Sequence, residues 1–171
     1  FFLAKPNILR KYPRFLQFAI SYRTMRVLPF PAYRPPADIA ENVGCPPYDV
    51  LNSAEAKEMS AGNDMSFLYV NKPEIVPEVA DVSPYDEKVY QMGRTKLMEW
   101  IEKGYLVKES KPCYYVYSQK WEGHEQFGIV AGASVSEYDT GIIKKHENTL
   151  KKKEDDRTKL TATQREIGRA S

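Results

Sequence analysis

Apolar residues recur at helical spacing in one long segment of the chain, between residues 84 and 103. They form a single stripe of five side chains, Val89, Met92, Leu97, Trp100 and Ile101. This pattern predicts an amphipathic helix with one face toward a core. Ser83 is a suitable N-cap, Asp86 completes a capping-box pattern, and Gly104 follows as a stop signal. We therefore expect a helix over residues 84–103.

Shorter apolar and aromatic runs predict strands. Residues 113–121 and 126–135 are rich in tyrosine and valine, and the sequence "EGHE" between them predicts a β-hairpin. The brief run "SFLYVN" at residues 66–71 predicts a buried strand, and the prolines within residues 27–36 hold that segment extended. Because strands and helices alternate irregularly, we predict an α+β fold. The hairpin is expected at the centre of a small mixed sheet, with the amphipathic helix packed on it.

Smaller helices and turns are expected between these elements. Residues 37–43 are compatible with a short helical turn, and Ser53 is placed to cap a short helix over residues 54–61. Residues 136–141, "SEYDTG", predict a turn that leads into a strongly charged stretch.

Composition narrows the classes of partner. The chain has 171 residues, of which 42% are hydrophobic and 28% charged, so it is long enough for one globular domain. Its net charge of +2 is too small to indicate nucleic acid or a membrane surface. The two cysteines belong to no metal-ligand cluster, which favours a reducing compartment, and no apolar run is long enough to span a bilayer. We expect a small-molecule or nucleotide ligand and a cytoplasmic location; the oligomeric state is not indicated.

The ends of the chain differ from its middle. Residues 1–24 contain five basic side chains and no acidic one, which is typical of a mitochondrial presequence. Met25, which stands just before a predicted strand, is instead typical of a start site and would make those residues an appendage. We accordingly predict a basic extension at 1–24, a domain at 25–160 and an atypical tail at 161–171. Mitochondrial localisation is the alternative if the extension is a presequence.

Residues 144–157 are the most highly charged part of the chain, with ten formally charged side chains among fourteen. Taken alone, the stretch fits a helix that faces solvent. Lys152 and Asp156 are four positions apart, and such a pair stabilises a helix by only ~0.2–0.5 kcal/mol.

The same stretch also carries the residue types of a phosphate site. The turn at residues 139–141 would expose backbone N–H groups, and Lys145 would add a side-chain donor. Arg157 would grip a phosphate through two N–H groups, and Asp155 and Asp156 would hold a magnesium ion. The glycine-rich pattern of a Walker A loop is absent from the sequence.

Four segments resemble an uncharacterised family, the domain of unknown function numbered 1015 (DUF1015). They are "PFPAYRPP", "GCPPYDV", "GNDMSFLYVNKPE" and "YDTGIIKKHENTLKKKEDDRTKL". The resemblance runs from about Met25 to Leu160, and typical members continue beyond it into a segment "ADGHHR", so it implies a truncated chain. Members are often labelled as similar to the ParB-like group, which includes sulfiredoxin and free-serine kinases. The resemblance therefore implies a ParB/sulfiredoxin-like fold with a phosphate-binding turn.

Two hypotheses of function follow from this resemblance. The first is a nucleotide-dependent phosphotransferase that acts on a small hydroxylated metabolite, with ATP or ADP and magnesium as cofactors. Its expected residues are Arg34, Lys145, His146 and Arg157 for the nucleotide phosphates, Glu147 or Asp49 as the base, and Asp155 or Asp156 for magnesium. The second is a nucleotide-responsive binding module without chemistry of its own, or an inactive truncated fragment.

Overall fold

The computed structural model describes residues 25–144 and 150–164, and these residues belong to two compact units. The first unit contains residues 25–30 and 114–144, and the second contains residues 31–113 and 150–164. Among the side chains that the structure describes, every buried apolar one lies in the second unit. The hydrophobic core of the described residues therefore lies in the second unit.

Helices and short strands alternate along the chain. In chain order the strands are β1 (Val27–Leu28), β2 (Tyr33–Arg34), β3 (Val107–Lys108), β4 (Tyr115–Trp121), β5 (His124–Val130) and β6 (Gly132–Ala133). The helices are α1 (Ala40–Val43), α2 (Ser53–Ser60), α3 (Leu68–Asn71), α4 (Glu87–Glu102), α5 (Val135–Asp139) and α6 (Lys151–Gln164). Two 3₁₀ turns, Pro73–Ile75 and Pro77–Val79, connect α3 to α4. The fold is α+β, as predicted.

The predicted small mixed sheet is wrong for the described residues. Their strands pair as three separate antiparallel ladders, β1 with β6, β2 with β3, and β4 with β5. The predicted hairpin is present, and Glu122 and Gly123 form its turn with positive φ angles of 46° and 82°. Val116, Phe127 and Ile129 lie on one face of the hairpin and are exposed by 77%, 64% and 75%. Alternating residues thus identified a hairpin, but they did not show that no other described strand would pair with it.

The predicted amphipathic helix is confirmed as α4. Val89, Leu97 and Trp100 of its stripe are buried, and Met92 and Ile101 are half-buried. Its partners within the second unit include α3, α6 and the 3₁₀ turns, whereas the hairpin predicted to cover it belongs to the first unit.

Helices α4 and α6 approach each other closely at Gly93. A side-chain carbon added there would lie 3.1 Å from Pro73 Cγ and 3.2 Å from both Leu160 Cδ1 and Gln164 Nε2. The buried Gln164 amide donates to the carbonyl oxygen of Val70 at 3.1 Å, which ties the end of α6 to α3. A side chain at position 93 would force these neighbours to move by a few tenths of an ångström, so the close approach favours glycine there without any need for an unusual φ angle.

Three local predictions are corrected by the structure. Residues 66–71 do not form a strand: α3 is a short helix, and it buries Leu68 and Val70. A six-residue apolar run is too short for its periodicity to distinguish a strand from a helix. The cap of α2 is Asn52 and not Ser53, and the cap of α4 is Asp86 and not Ser83, so α4 begins at Glu87. Each lies immediately before the first helical residue, and its side chain accepts a hydrogen bond from a backbone N–H of the first turn.

The predicted turn at residues 136–141 is largely helix α5. The backbone N–H groups of Thr140 and Gly141 donate to carbonyl oxygens of Ser136 and Tyr138 at 3.1 Å, so they close the helix. The expectation that this segment exposes N–H groups to a phosphate is therefore wrong for these two residues.

Of the predicted domain limits, only the one at residue 160 lies within the described residues. Helix α6 runs through the predicted boundary at residue 160 and continues to residue 164. The extension at 1–24 and the rest of the tail lie outside the described residues. Within the described part of the chain, no helix is long and apolar enough to cross a lipid bilayer.

Candidate functional site

A cleft of about 390 Å³ opens within the second unit. Its walls come from the loop that contains Tyr48 and Asp49, from the first 3₁₀ turn, and from helices α4 and α6. The "PPYDV" and "KEDDR" segments thus meet at one site although they are about a hundred positions apart. Asp49, Asp156 and Arg157 are the predicted site residues that the structure brings together here.

The guanidinium of Arg157 is held from three sides. Its Nε and Nη2 atoms donate to Asp156 Oδ2 at 3.0 and 2.6 Å, and Nη1 donates to the carbonyl oxygen of Asn71 at 2.9 Å. The ring of Tyr48 lies against its plane, with 4.0 Å between Cζ and the ring centroid. Two of its five N–H groups remain without a bond among the described residues. The side chain is therefore fixed in the wall of the cleft and keeps donors for a ligand.

Asp156 uses both of its carboxylate oxygens within the protein. Oδ1 accepts a hydrogen bond of 2.7 Å from the hydroxyl of Tyr90, and Oδ2 accepts the bonds from Arg157. Burial and then this hydrogen bond raise the pKa of Tyr90 well above its ordinary value. The sequence missed Tyr90 because its position in the stripe-bearing helix indicated only packing.

The magnesium site predicted at Asp155 or Asp156 stays a prediction, and the two carboxylates differ in their surroundings. Asp155 is exposed and accepts a hydrogen bond of 2.6 Å from Lys151, whereas both oxygens of Asp156 accept hydrogen bonds from Tyr90 and Arg157. Adjacent residues on a helix point in directions about 100° apart, which is why one carboxylate faces solvent and the other faces the cleft. Among the residues described, no cluster of three or more histidine, cysteine or acidic side chains is arranged to hold a metal.

Two lysines of α6 add positive charge to the cleft. Lys152 and Lys153 line it, and the ammonium of Lys152 lies 4.8 Å from the centroid of the Tyr85 ring. The four-residue pair predicted between Lys152 and Asp156 is replaced by the pair between Lys151 and Asp155. Helix α6 is therefore solvated on one face and contributes to the site on another.

A second polar group in the same cleft was not predicted from the sequence. Lys72 Nζ and Glu74 Oε1 are 3.0 Å apart, with side chains only 12% and 13% exposed. The Ser53 hydroxyl donates to the same Glu74 oxygen at 3.0 Å. The only sequence signal was "NKPE", in which a proline separates two opposite charges.

The remaining predicted site residues lie away from the cleft or outside the described residues. Arg34 stands on β2, where its guanidinium donates to Glu109, with Nε at 2.7 Å from Oε1, and it does not line the cleft. Lys145, His146 and Glu147 fall outside the described residues.

The loop that contains Tyr48 and Asp49 also contains a half-buried thiol, that of Cys45. The side-chain amide of Asn71 lies 4.0 Å from Cys45 Sγ, and the backbone carbonyl of the same asparagine accepts the bond from Arg157. Burial raises the pKa of Cys45, and the contact with the amide offsets this in part.

Comparison with known proteins gives one match. A family model described as "Protein of unknown function (DUF1015)" covers residues 27–166, which includes every described residue of the cleft. No curated protein and no solved structure matches the chain.

Proposed function

The chain belongs to the DUF1015 family, and we propose that its cleft binds the phosphate groups of a nucleotide. The observation that carries this proposal is the fixed Arg157 guanidinium in the wall of the cleft. A planar fork of N–H groups matches the oxygens of a phosphate better than a point charge does. Because Asp156 neutralises much of the arginine charge, Lys152 and Lys153 supply the additional positive charge that an anion needs.

The reaction that we propose is phosphoryl transfer from ATP or ADP to a hydroxyl of a small metabolite, as in the serine kinases of the ParB-like group. Asp49 lines the cleft and is exposed, so its carboxylate would accept the proton of the attacking hydroxyl. Glu147 is the other candidate base. Lys145 and His146 remain proposed phosphate contacts.

A nucleotide-responsive binding module is the second candidate. It is favoured by the bonding of Asp156, whose oxygens serve Tyr90 and Arg157 and are not directed at a ligand. In this case the cleft would bind a nucleotide without transferring its phosphate.

Calorimetric titration of ADP, ATP and inorganic phosphate into wild type and Arg157→Lys tests the binding proposal. Lysine keeps the charge but loses the fork, so we expect affinity to fall about tenfold or more. Arg34→Lys makes the same change outside the cleft and should leave affinity unchanged. Equal affinities in wild type and Arg157→Lys would overturn the role of Arg157.

Assays for a phosphorylated product then separate the two candidates. With hydroxylated metabolites such as L-serine as acceptors, an enzyme should lose turnover in Asp49→Asn while retaining nucleotide affinity. A binding module would give no product in either protein.

A further inference from the structure

Glu74 is a carboxylate that the proposed chemistry does not use. Its side chain is 13% exposed, it lines the cleft, and it stands on the 3₁₀ turn Pro73–Ile75. The prolines at positions 73 and 77 restrict the backbone on both sides of it. Both its position and its orientation are therefore defined before a ligand binds.

The two oxygens of the Glu74 carboxylate differ in their contacts. Lys72 Nζ and Ser53 Oγ both reach Oε1, each at 3.0 Å. The side-chain bonds that the described residues make to Glu74 all end on that oxygen, so Oε2 keeps its acceptor capacity. A fixed carboxylate with one oxygen available can accept a hydrogen bond without the cost of being ordered first.

The chemistry of the acceptor limits what it can bind. A carboxylate repels a phosphate, so the ligand group near Glu74 must be a hydrogen-bond donor. Because Lys72 already supplies a positive charge 3.0 Å from Oε1, a neutral donor such as a hydroxyl fits better than a second cation. The same cleft presents Arg157, Lys152 and Lys153 to an anion. A ligand that satisfies both groups has phosphates at one end and hydroxyls nearby, which is the arrangement in a nucleotide, where the ribose follows the phosphates.

We propose that Glu74 binds a ribose hydroxyl of the nucleotide through Oε2, and that Lys72 and Ser53 are positioning residues that hold Oε1. Acidic side chains bind ribose hydroxyls in the same manner in dinucleotide-binding folds. The inference rests on the proposed function, because it requires that a nucleotide occupies the cleft. It identifies the ligand as a ribonucleotide and distinguishes it from free phosphate and from deoxygenated analogues.

The test compares ADP with 2′,3′-dideoxy-ADP, which lacks both ribose hydroxyls, by calorimetric titration. Wild type should bind ADP about tenfold more tightly, since a hydrogen bond to a charged group is worth that much or more. Glu74→Met removes the acceptor at similar length and should bring the two affinities together. Glu78→Met, on the neighbouring 3₁₀ turn and exposed, is the matched control and should keep the wild-type preference.

Ser53→Ala gives a second test that does not remove the carboxylate. It releases one of the two groups that hold Oε1, so the preference for ADP should fall to a few-fold while the affinity for inorganic phosphate stays constant. An equal loss of affinity for both nucleotides in Glu74→Met would overturn the ribose assignment and leave the phosphate site standing. If wild type binds neither ADP nor inorganic phosphate, the proposed function itself fails.

Discussion

At the scale of single residues, neighbouring acidic side chains in one charged run have different roles. Asp155 is exposed and pairs with Lys151, whereas Asp156 accepts hydrogen bonds from Tyr90 and Arg157 inside the cleft. Exposed ion pairs contribute about 0–1 kcal/mol, while the loss of a half-buried partner leaves a charge or a donor unsatisfied. The sequence "EDDR" does not distinguish these two positions, because only burial by α4 does so.

The first prediction compares these two aspartates. We expect Asp156→Asn to lower the free energy of unfolding by about 1–3 kcal/mol, because it weakens the bonds to Tyr90 and Arg157. Asp155→Asn should change it by less than about 0.5 kcal/mol, as expected for an exposed pair. Urea denaturation measures both changes, and equal values would contradict the inward role of Asp156.

The second prediction concerns the pH dependence of stability. The pKa of Tyr90 is raised in the folded protein, so the unfolded chain loses this proton first as the pH rises above its ordinary value of 10.0. The stabilisation from Tyr90 should be complete below that pH and decline above it. In Tyr90→Phe, the unfolding free energy should be about 1–3 kcal/mol lower at neutral pH, and its decline between about pH 9 and about pH 11 should be smaller.

Tyr85→Phe is the control for this measurement, since Tyr85 is exposed and does not bond to Asp156. It should keep the wild-type stability and the wild-type alkaline decline. If Tyr90→Phe loses stability in parallel with wild type at all pH values, the hydroxyl of Tyr90 does not have the assigned role.

At the scale of elements, the periodicity of apolar residues predicted a long helix correctly. It did not predict a short element whose conformation depends on the elements packed around it. The stripe of α4 was sufficient to identify it, because five apolar positions define a face. Helix α3 could not be identified, since its short run is buried among elements distant in sequence. The site follows the same rule. Asp49, Asp156 and Arg157 were predicted from motifs, whereas Tyr90, Lys72 and Glu74 are functional candidates only because folding places them in the cleft.

The third prediction tests the close approach of α4 and α6. Gly93→Val would place side-chain atoms against Pro73, Leu160 and Gln164, so we expect a loss of about 1–3 kcal/mol through overpacking. Gly128→Val is the control, because nothing lies within 4 Å of an added carbon there and valine suits a strand. Thermal denaturation should show a lower melting temperature for Gly93→Val and no loss for Gly128→Val. Similar melting temperatures would contradict the packing at Gly93.

At the scale of the whole molecule, burial is divided unequally between the two units. The described buried apolar side chains, from Val43 to Leu160, all belong to the second unit. In the first unit the hairpin exposes both the Val116 and the Ile129 side chains of one face. A hairpin with an apolar face open to water and no fully buried side chain among those described is marginally stable, whereas a helix packed on a core resists opening.

The fourth prediction is therefore a difference in hydrogen exchange. Amides of β4 and β5 should exchange far faster than those in the middle of α4, by about 100-fold or more, because local opening costs less free energy where no core must be exposed. Mass spectrometry of deuterated peptides can measure both regions in one experiment. Equal protection of the hairpin and α4 would contradict this account.

The half-buried thiol of Cys45, in the loop that contains Tyr48 and Asp49, can report chemically on the state of the cleft. Thiolates, not thiols, react with alkylating reagents, so the raised pKa and the partial burial of Cys45 should both slow its modification. Cys113, the other cysteine, provides an internal reference in the same molecule. Because Asn71 contacts both the thiol and Arg157, a ligand that tightens Arg157 should slow iodoacetamide labelling of Cys45 further and leave Cys113 unaffected. Occupancy of the cleft can then be read as a labelling rate on the natural chain, without an introduced probe.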